Sequence, residues 1–242
     1  HWESLYSTPI QGKTLLAIGV GNIGYSVAKK CKALGMNVIG VSRHGKTLED
    51  VDEIYGLHLW NYQKYGTVGV KPGPIMAAAD LFEITVHGKG GHGGLPHLSV
   101  DPIPIACQLI TALQTLISRE TPASQQVVLG FGSIQGGSQF NIIPETVEMR
   151  GNLRTLDDTI RVHLLTRIEE MADSLATSMG ASCTVQRVRG APVMMNDPEM
   201  SDMIADVARS VVGNDKVMTT PPSPVGDDAL TVCFSALLVA RT

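Results

Sequence analysis

Phe82-Glu83-Ile84-Thr85-Val86, running on into Gly88-Lys89-Gly90-Gly91-His92-Gly93-Gly94-Leu95-Pro96-His97, decides how the middle of the chain folds. Phe82, Ile84 and Val86 alternate with Glu83 and Thr85, the two-residue period of a half-buried strand. A glycine-rich loop follows. Asp101 stands where a helix cap belongs, with Pro102 at the first helical position. Leu109, Leu113, Leu116 and Ile117 then recur as an apolar stripe. Further on, Val127 to Ile134 predicts a strand and Gly136-Gly137 a bend. Thr146 to Arg154 predicts another strand, with Val147, Met149 and Leu153 on one face. Asp157 or Asp158 opens a long helix with Leu164, Ile168, Met171 and Leu175 inward, and Gly180 ends it. Cys183 to Val188 is the last strand.

From about Ala79 to Asn196 the order is therefore βαββαβ. One four-stranded sheet with two helices on one face, the ferredoxin-like arrangement, satisfies it. Asp197-Pro198 opens a third helix through Met200, Ile204, Val207 and Val211, stopped by Gly213. Gly66 to Pro74, rich in glycine and proline, is expected to link two bodies.

The first fifty residues follow another pattern. Thr14 to Gly19 is a short apolar run and Gly19-Val20-Gly21-Asn22-Ile23-Gly24 a glycine turn. Val27, Ala28, Cys31 and Leu34 have helical spacing up to Gly35, and Asn37 to Ser42 is a second strand. Strand, glycine turn, helix, strand is half of a Rossmann-like unit. In it Gly19 permits the tight turn, Gly21 lets backbone approach a pyrophosphate, and Gly24 lets helix pack on strand. Where an acid would bind a ribose 2′-hydroxyl, Ser42-Arg43 stands instead. That pair suits a 2′-phosphate, so NADP is expected ahead of NAD, though Arg43 reads equally as a solvated loop charge. The fold class is thus α/β followed by α+β.

Composition narrows the partners. A hydrophobic share of 43 % with 17 % charged residues is that of an ordinary globular chain. A net charge of −4 offers no basic face, so no nucleic-acid partner is expected. No apolar run approaches a membrane span and no leader is visible, which predicts a cytoplasmic protein with no membrane partner. Cys31, Cys107, Cys183 and Cys233 lie far apart in apolar contexts and are expected to be small buried hydrophobes. The chain begins at His1, so its true N-terminus is expected to be missing.

Two resemblances carry function. Gly12-Lys13-Thr14, the glycine turn, Ala33-Leu34-Gly35-Met36, Val38-Ile39-Gly40, Ser42-Arg43 and Val51-Asp52-Glu53-Ile54-Tyr55 resemble the cofactor region of D-2-hydroxyacid dehydrogenases over residues 1–55. That family's catalytic Arg, Glu and His have no counterpart here. Gly56-Leu57-His58, Gly73-Pro74-Ile75-Met76-Ala77, the Gly88 to His97 loop, Asn141-Ile142-Ile143-Pro144, Gly151-Asn152-Leu153-Arg154-Thr155 and Asn196-Asp197-Pro198 resemble another family. It is the zinc-dependent aminoacylase and carboxypeptidase-G-like amidohydrolases, in the hippurate and indole-acetyl-amino-acid hydrolase branch, over residues 56–228.

That second resemblance implies a zinc-domain remnant at 56–78, a lid and dimerisation domain at 79–196, and a further remnant at 197–242. It also implies a homodimer and an N-acyl amino acid or peptide as substrate. His58 matches a zinc ligand. His92 matches the lid histidine that polarises the scissile carbonyl in the partner subunit. Asn141 and Arg154 match residues that hold the substrate's carbonyl or carboxylate. A fixed imidazole donor suits an oxyanion, and a guanidinium fork suits a carboxylate. Read without the family, each of these four is an ordinary structural or solvated residue. The family's upstream ligands, its Glu-Glu pair and its final histidine are not matched; Glu169-Glu170 falls inside the long helix, and Ala229 replaces an aromatic. An incomplete zinc site and no hydrolysis are expected. The alternatives are an NAD(P)-binding module, or an inactive fusion or fragment joined near Asp52 to Leu57. The helix after Asp101, with Ile105, Leu109 and Leu116, is expected to bring apolar groups to a dimer contact.

Overall fold

The computed structural model describes residues 10–42, 48–59, 63–224 and 234–241, with backbone alone for 53–59 and 234–241. The elements, in chain order, begin with β1 (Thr14–Ile18), α1 (Asn22–Ala33), β2 (Asn37–Ser42), β3 (Glu53–Leu59), β4 (Val68–Val70) and β5 (Gly73–Met76). There follow β6 (Ala78–His87), β7 (Gly91–His92), α2 (Pro102–Thr115), β8 (Val127–Gly136), β9 (Ile142–Ile143) and β10 (Thr146–Thr155). The last are α3 (Asp158–Ser178), β11 (Ser182–Ala191), β12 (Met194–Asn196), α4 (Pro198–Val212), β13 (Val217–Thr219) and β14 (Phe234–Arg241). The chain divides into two units, and among the described residues it passes between them at Ile75/Met76, at Met194/Met195 and at Pro221/Pro222.

The second unit is the βαββαβ body. Its sheet runs β11-β6-β10-β8, antiparallel throughout. Phe82, Ile84, Val147, Met149 and Leu153 face α2 and α3, and each is at most 2 % exposed. The opposite face of β10 carries Glu148, Arg150, Asn152 and Arg154, as a two-residue period requires. Asp101 accepts the Ile103 amide at 3.0 Å to cap α2. Asp157, rather than Asp158, caps α3 through the Thr159 and Ile160 amides at 2.8 and 3.0 Å. Gly180, at φ 81°, ends α3 in the left-handed region that a side chain resists.

Two contacts fix this body. A Cβ on Gly151 would lie 2.5 Å from Phe82 Cζ and 3.0 Å from the Gly130 carbonyl. The Phe82 ring therefore lies across β10 only because residue 151 has no side chain, and it meets Phe131 edge-on at a centroid distance of 5.7 Å. Asp80, 5 % exposed, takes a two-pronged bond from Arg161, with Nε to Oδ2 at 2.6 Å and Nη2 to Oδ1 at 2.8 Å. The carboxylate holds the Arg161 guanidinium above its usual pKa. A Cβ on Gly190 would strike Asp80 Oδ1 at 2.5 Å, so β11 also yields to this pair.

The first unit joins the two resembling segments in one sheet, ordered β1-β2-β3-β14. β2 pairs in parallel with β3, from Ile39↔Glu53 to Ser42↔Gly56, across the junction. Asp52 accepts from Lys32 and from the Val38 amide, which ties α1 and β2 to the connecting loop. Those partners hold its carboxyl below the usual range. Its contribution is present above that range and is lost as pH falls through the depressed value. Gly66 to Pro74, expected as a linker, is partly drawn into strands. β4 pairs with β13, and Val70 and Ile75 are buried, because the apolar residues beside Pro72-Gly73 have a sheet and a core to enter.

Two other expectations are corrected. Ile105, Leu109 and Leu116 are at most 2 % exposed and belong to the core, since α2 lies flat on the sheet. Leu116 and Ile117 fall in a wider five-residue turn, Leu116–Glu120, that prolongs α2. Cys107 is exposed, while Cys31 and Cys183 are half-buried; Cys233 lies outside the described residues. Burial pushes the Cys183 thiol up to about 11.

Gly151→Val will destabilise the second unit by about 1–3 kcal/mol, because the core must shift to admit the branch. Asp80→Ala, which leaves Arg161 only the longer contact to Asp158 at 3.4 Å, will cost about 3 kcal/mol. Urea denaturation followed by circular dichroism checks both.

Candidate functional site

His92 ends β7, and β7 pairs with β9, so that His92 lies opposite Ile142 and Gly91 opposite Ile143. The Gly93 amide donates to the Asn141 carbonyl at 2.8 Å. A Cβ on Gly93 would sit 2.9 Å from that oxygen, so the two loops touch through a bare glycine. The structure thereby brings His92 and Asn141 to one end of the sheet. The Leu95 amide donates to the His92 carbonyl at 2.8 Å, and the Gly94 amide donates to His92 Nδ1 at 3.0 Å. The His92 side chain is exposed. Gly93 and Gly94 are thus further candidate site residues, which loop composition alone did not single out. The signal was their placement immediately after the histidine.

Arg154 lies near the other end of β10. Its cross-strand neighbours are Ala79 and Val128, and its Nη1 is buried with no hydrogen-bond partner among the described residues. An unmatched buried guanidinium nitrogen is costly unless an anion meets it. Eight residues of strand separate Thr146, beside the His92 loop, from Arg154, or about 27 Å. His92 and Asn141 are together; Arg154 is not with them.

His58 falls within β3, opposite the irregularity of β14 between Phe234 and Leu237, and its side chain is outside the described residues. Among the described residues, no three His, Cys, Asp or Glu side chains gather as a metal site.

In the first unit Gly19 has φ 91° and donates to the Val41 carbonyl at 2.8 Å. A Cβ on Gly24 would lie 2.0 Å from the Gly19 carbonyl oxygen. Gly21 caps α1 and has open space around its Cα. The positive φ, the open cap and the close packing are three separate reasons for three glycines. Ser42 ends β2; Arg43 lies outside the described residues.

Residues 79–179 match the family model of the peptidase dimerisation domain of M20 type. This part of the chain belongs to the M20 amidohydrolases. Residues 1–61 match the NAD-binding domain of D-isomer-specific 2-hydroxyacid dehydrogenases. An N-acetyl-L-cysteine deacetylase of Bacillus subtilis is 37 % identical over 181 residues, 75 % of this chain and 43 % of that protein. Thermostable carboxypeptidase 2 of Saccharolobus solfataricus is 34 % identical over 165 residues, 68 % of this chain and 42 % of its own length. The crystal structure of a dinuclear metal-binding M20 peptidase from Bacillus subtilis superposes with a TM-score of 0.56 at 25 % identity, over 81 % of this chain and 45 % of that one. The chain spans less than half the length of these relatives. Among the described residues no helix is long and apolar enough to cross a membrane.

Gly24→Val will separate α1 from β1, because a branched Cβ cannot share space with the Gly19 carbonyl. Hydrogen exchange resolved by mass spectrometry will report faster exchange in residues 14–42 and unchanged protection in β6 and β10.

Proposed function

We propose that the chain acts as the dimerisation and substrate-contact lid of an N-acyl-amino-acid amidohydrolase. In this reading the ferredoxin-like lid is borne on a remnant of the zinc domain, with a Rossmann-like half unit ahead of it. The observation that carries this reading is Arg154 Nη1, buried, charged and unmatched beside Ala79 and Val128. A free carboxylate is the partner such a group lacks, which favours N-acyl amino acids and peptides as ligands. His92 and Asn141 serve a carbonyl oxygen instead. Since Thr146, where their loop leaves the sheet, lies about 27 Å along β10 from Arg154, this reading gives one small substrate no reach to all three on a single chain. A C2 homodimer offers His92 and Asn141 from one subunit against Arg154 of the other.

The charge pattern supports one edge for that dimer. β8 carries no charged residue and no proline, and leaves Val128 and Ile134 46 and 47 % exposed. α2 and its extension have no charge from Pro102 to Ser118, and they present Ile103, Cys107 and Thr111 outward. The opposite edge, β11, bears Arg187 and Arg189 and a bulge between them, and α3 beside it bears Arg167 and Glu170. The β8 and α2 side is built for contact, and the β11 side for water. Metal belongs to this reading through the family, with His58 as the matching ligand in an incomplete zinc site, so hydrolysis is expected to be absent.

A second reading rests on Gly19, Gly21 and Gly24, whose geometry suits one mononucleotide of NADP or NAD at the N-terminus of α1. Fluorescence titration with NADPH, repeated on Gly21→Val, tests it; tight binding indifferent to that change removes it.

Sedimentation equilibrium will give a dimer in the micromolar range. Thr111→Glu will weaken it at least tenfold, and Gln186→Glu on β11 will leave it unchanged. A strictly monomeric wild type at tens of micromolar overturns the lid reading. The chain loaded with zinc or manganese will not cleave N-acetyl amino acids above background; turnover lost in His58→Ala overturns that part. Calorimetry will find N-acetyl amino acid binding that is lost in Arg154→Ala and absent for the corresponding amides.

A further inference from the structure

We propose that the Gly94 backbone amide is a positioning group that holds neutral His92 in a single tautomer, with the ring proton on Nε2. The inference rests on the reading of His92 as a carbonyl-binding residue and adds what fixes its chemistry. A neutral imidazole has one donor nitrogen and one acceptor nitrogen, and the bond made by one decides the role of the other. Nδ1 accepts the Gly94 amide at 3.0 Å, so it holds a lone pair and Nε2 holds the proton. The ring then offers the exposed side one donor. A carbonyl oxygen, or the oxyanion formed from it, is what a lone donor receives.

The turn explains why two glycines follow the histidine. Gly93 brings the backbone against Asn141, where a Cβ would stand 2.9 Å from the Asn141 carbonyl oxygen. Gly94 lies beneath the ring itself, where a Cβ would stand 3.2 Å from Nδ1 and 3.3 Å from Cε1. Such a Cβ is tighter than an ordinary contact and tilts the ring away from the amide. The Leu95 amide, bonded to the His92 carbonyl at 2.8 Å, closes the turn that aims the Gly94 N–H at the ring. The imidazole is therefore oriented by its own loop, before any partner or substrate arrives. The same bond denies His92 the role of a base or a metal ligand through Nδ1.

Nitrogen-15 NMR of the full chain, at a pH where the ring is neutral, tests this directly. A through-hydrogen-bond coupling is expected between the Gly94 amide nitrogen and His92 Nδ1, with Nε2 carrying the proton. Gly94→Ala will abolish the coupling and move both ring nitrogens toward the averaged shifts of a tautomer mixture. The amide shifts of Val86 and Val147 in the core will stay in place, which separates positioning from folding. A proton found on Nδ1 in the wild type overturns the proposal, as do ring nitrogens unmoved by Gly94→Ala. The nitrogen shifts are read without dimerisation, ligand or turnover. A monomer that keeps the coupling therefore defeats the lid reading alone, and a dimer that lacks it defeats this proposal alone.

Discussion

The buried pair Asp80–Arg161 is the constraint on which the βαββαβ body depends. It stands where the chain enters that body, at the start of β6, and where it prepares to leave, at the end of β11. It also fixes the first turn of α3. A charge left alone in this place would be expensive, and two charges in poor geometry would be little better. The two-pronged bond, at 2.6 and 2.8 Å, is what makes the burial tolerable. Because Gly190 must stay bare beside it, the pair also fixes the register of β11 on β6. On β10 the alternation that buries Val147, Met149 and Leu153 puts Arg154 on the outward face.

Much of this could be read in the sequence, and the reason differs from element to element. The helix caps Asp101, Asp157 and Asp197 act within a single turn, so local spacing reveals them. The strands β6 and β10 show their period because one face is dry and the other wet. The Asp80–Arg161 pair spans 81 positions, and nothing local announces a partner so distant. The same limit applies to Leu109 and Leu116. Their periodicity says that they are buried, but not that the burial is against the sheet instead of another subunit. The Gly66 to Pro74 stretch has turn residues in abundance, yet Val68 and Val70 find β13, which lies far along the chain.

The candidate site was legible unevenly. His92, Asn141 and Arg154 could be named by motif, but their distribution over the two ends of β10 required the sheet register. The role of Gly94 required the position of a ring nitrogen. The junction of the two resembling segments is a different case. Composition and motif place a break near Asp52 to Leu57, whereas β2 and β3 continue one parallel sheet across it. Backbone hydrogen bonding does not distinguish one family pattern from another, so two segments that resemble different families share a ladder when both present a strand of suitable length.

The separation of Arg154 from the His92 loop also bears on how defects combine. In a protein whose contacts are split between the ends of one strand and completed by symmetry, each pair of chains holds two composite sets. A chain damaged at Arg154 and a chain damaged at His92 are each useless when paired with themselves. Paired with one another, they concentrate both faults in one set and leave the other whole. On the proposed homodimer, mixed pairs of the two damaged chains would therefore keep one intact ligand-binding set of two, a complementation between defects. A single-chain site gives no such recovery.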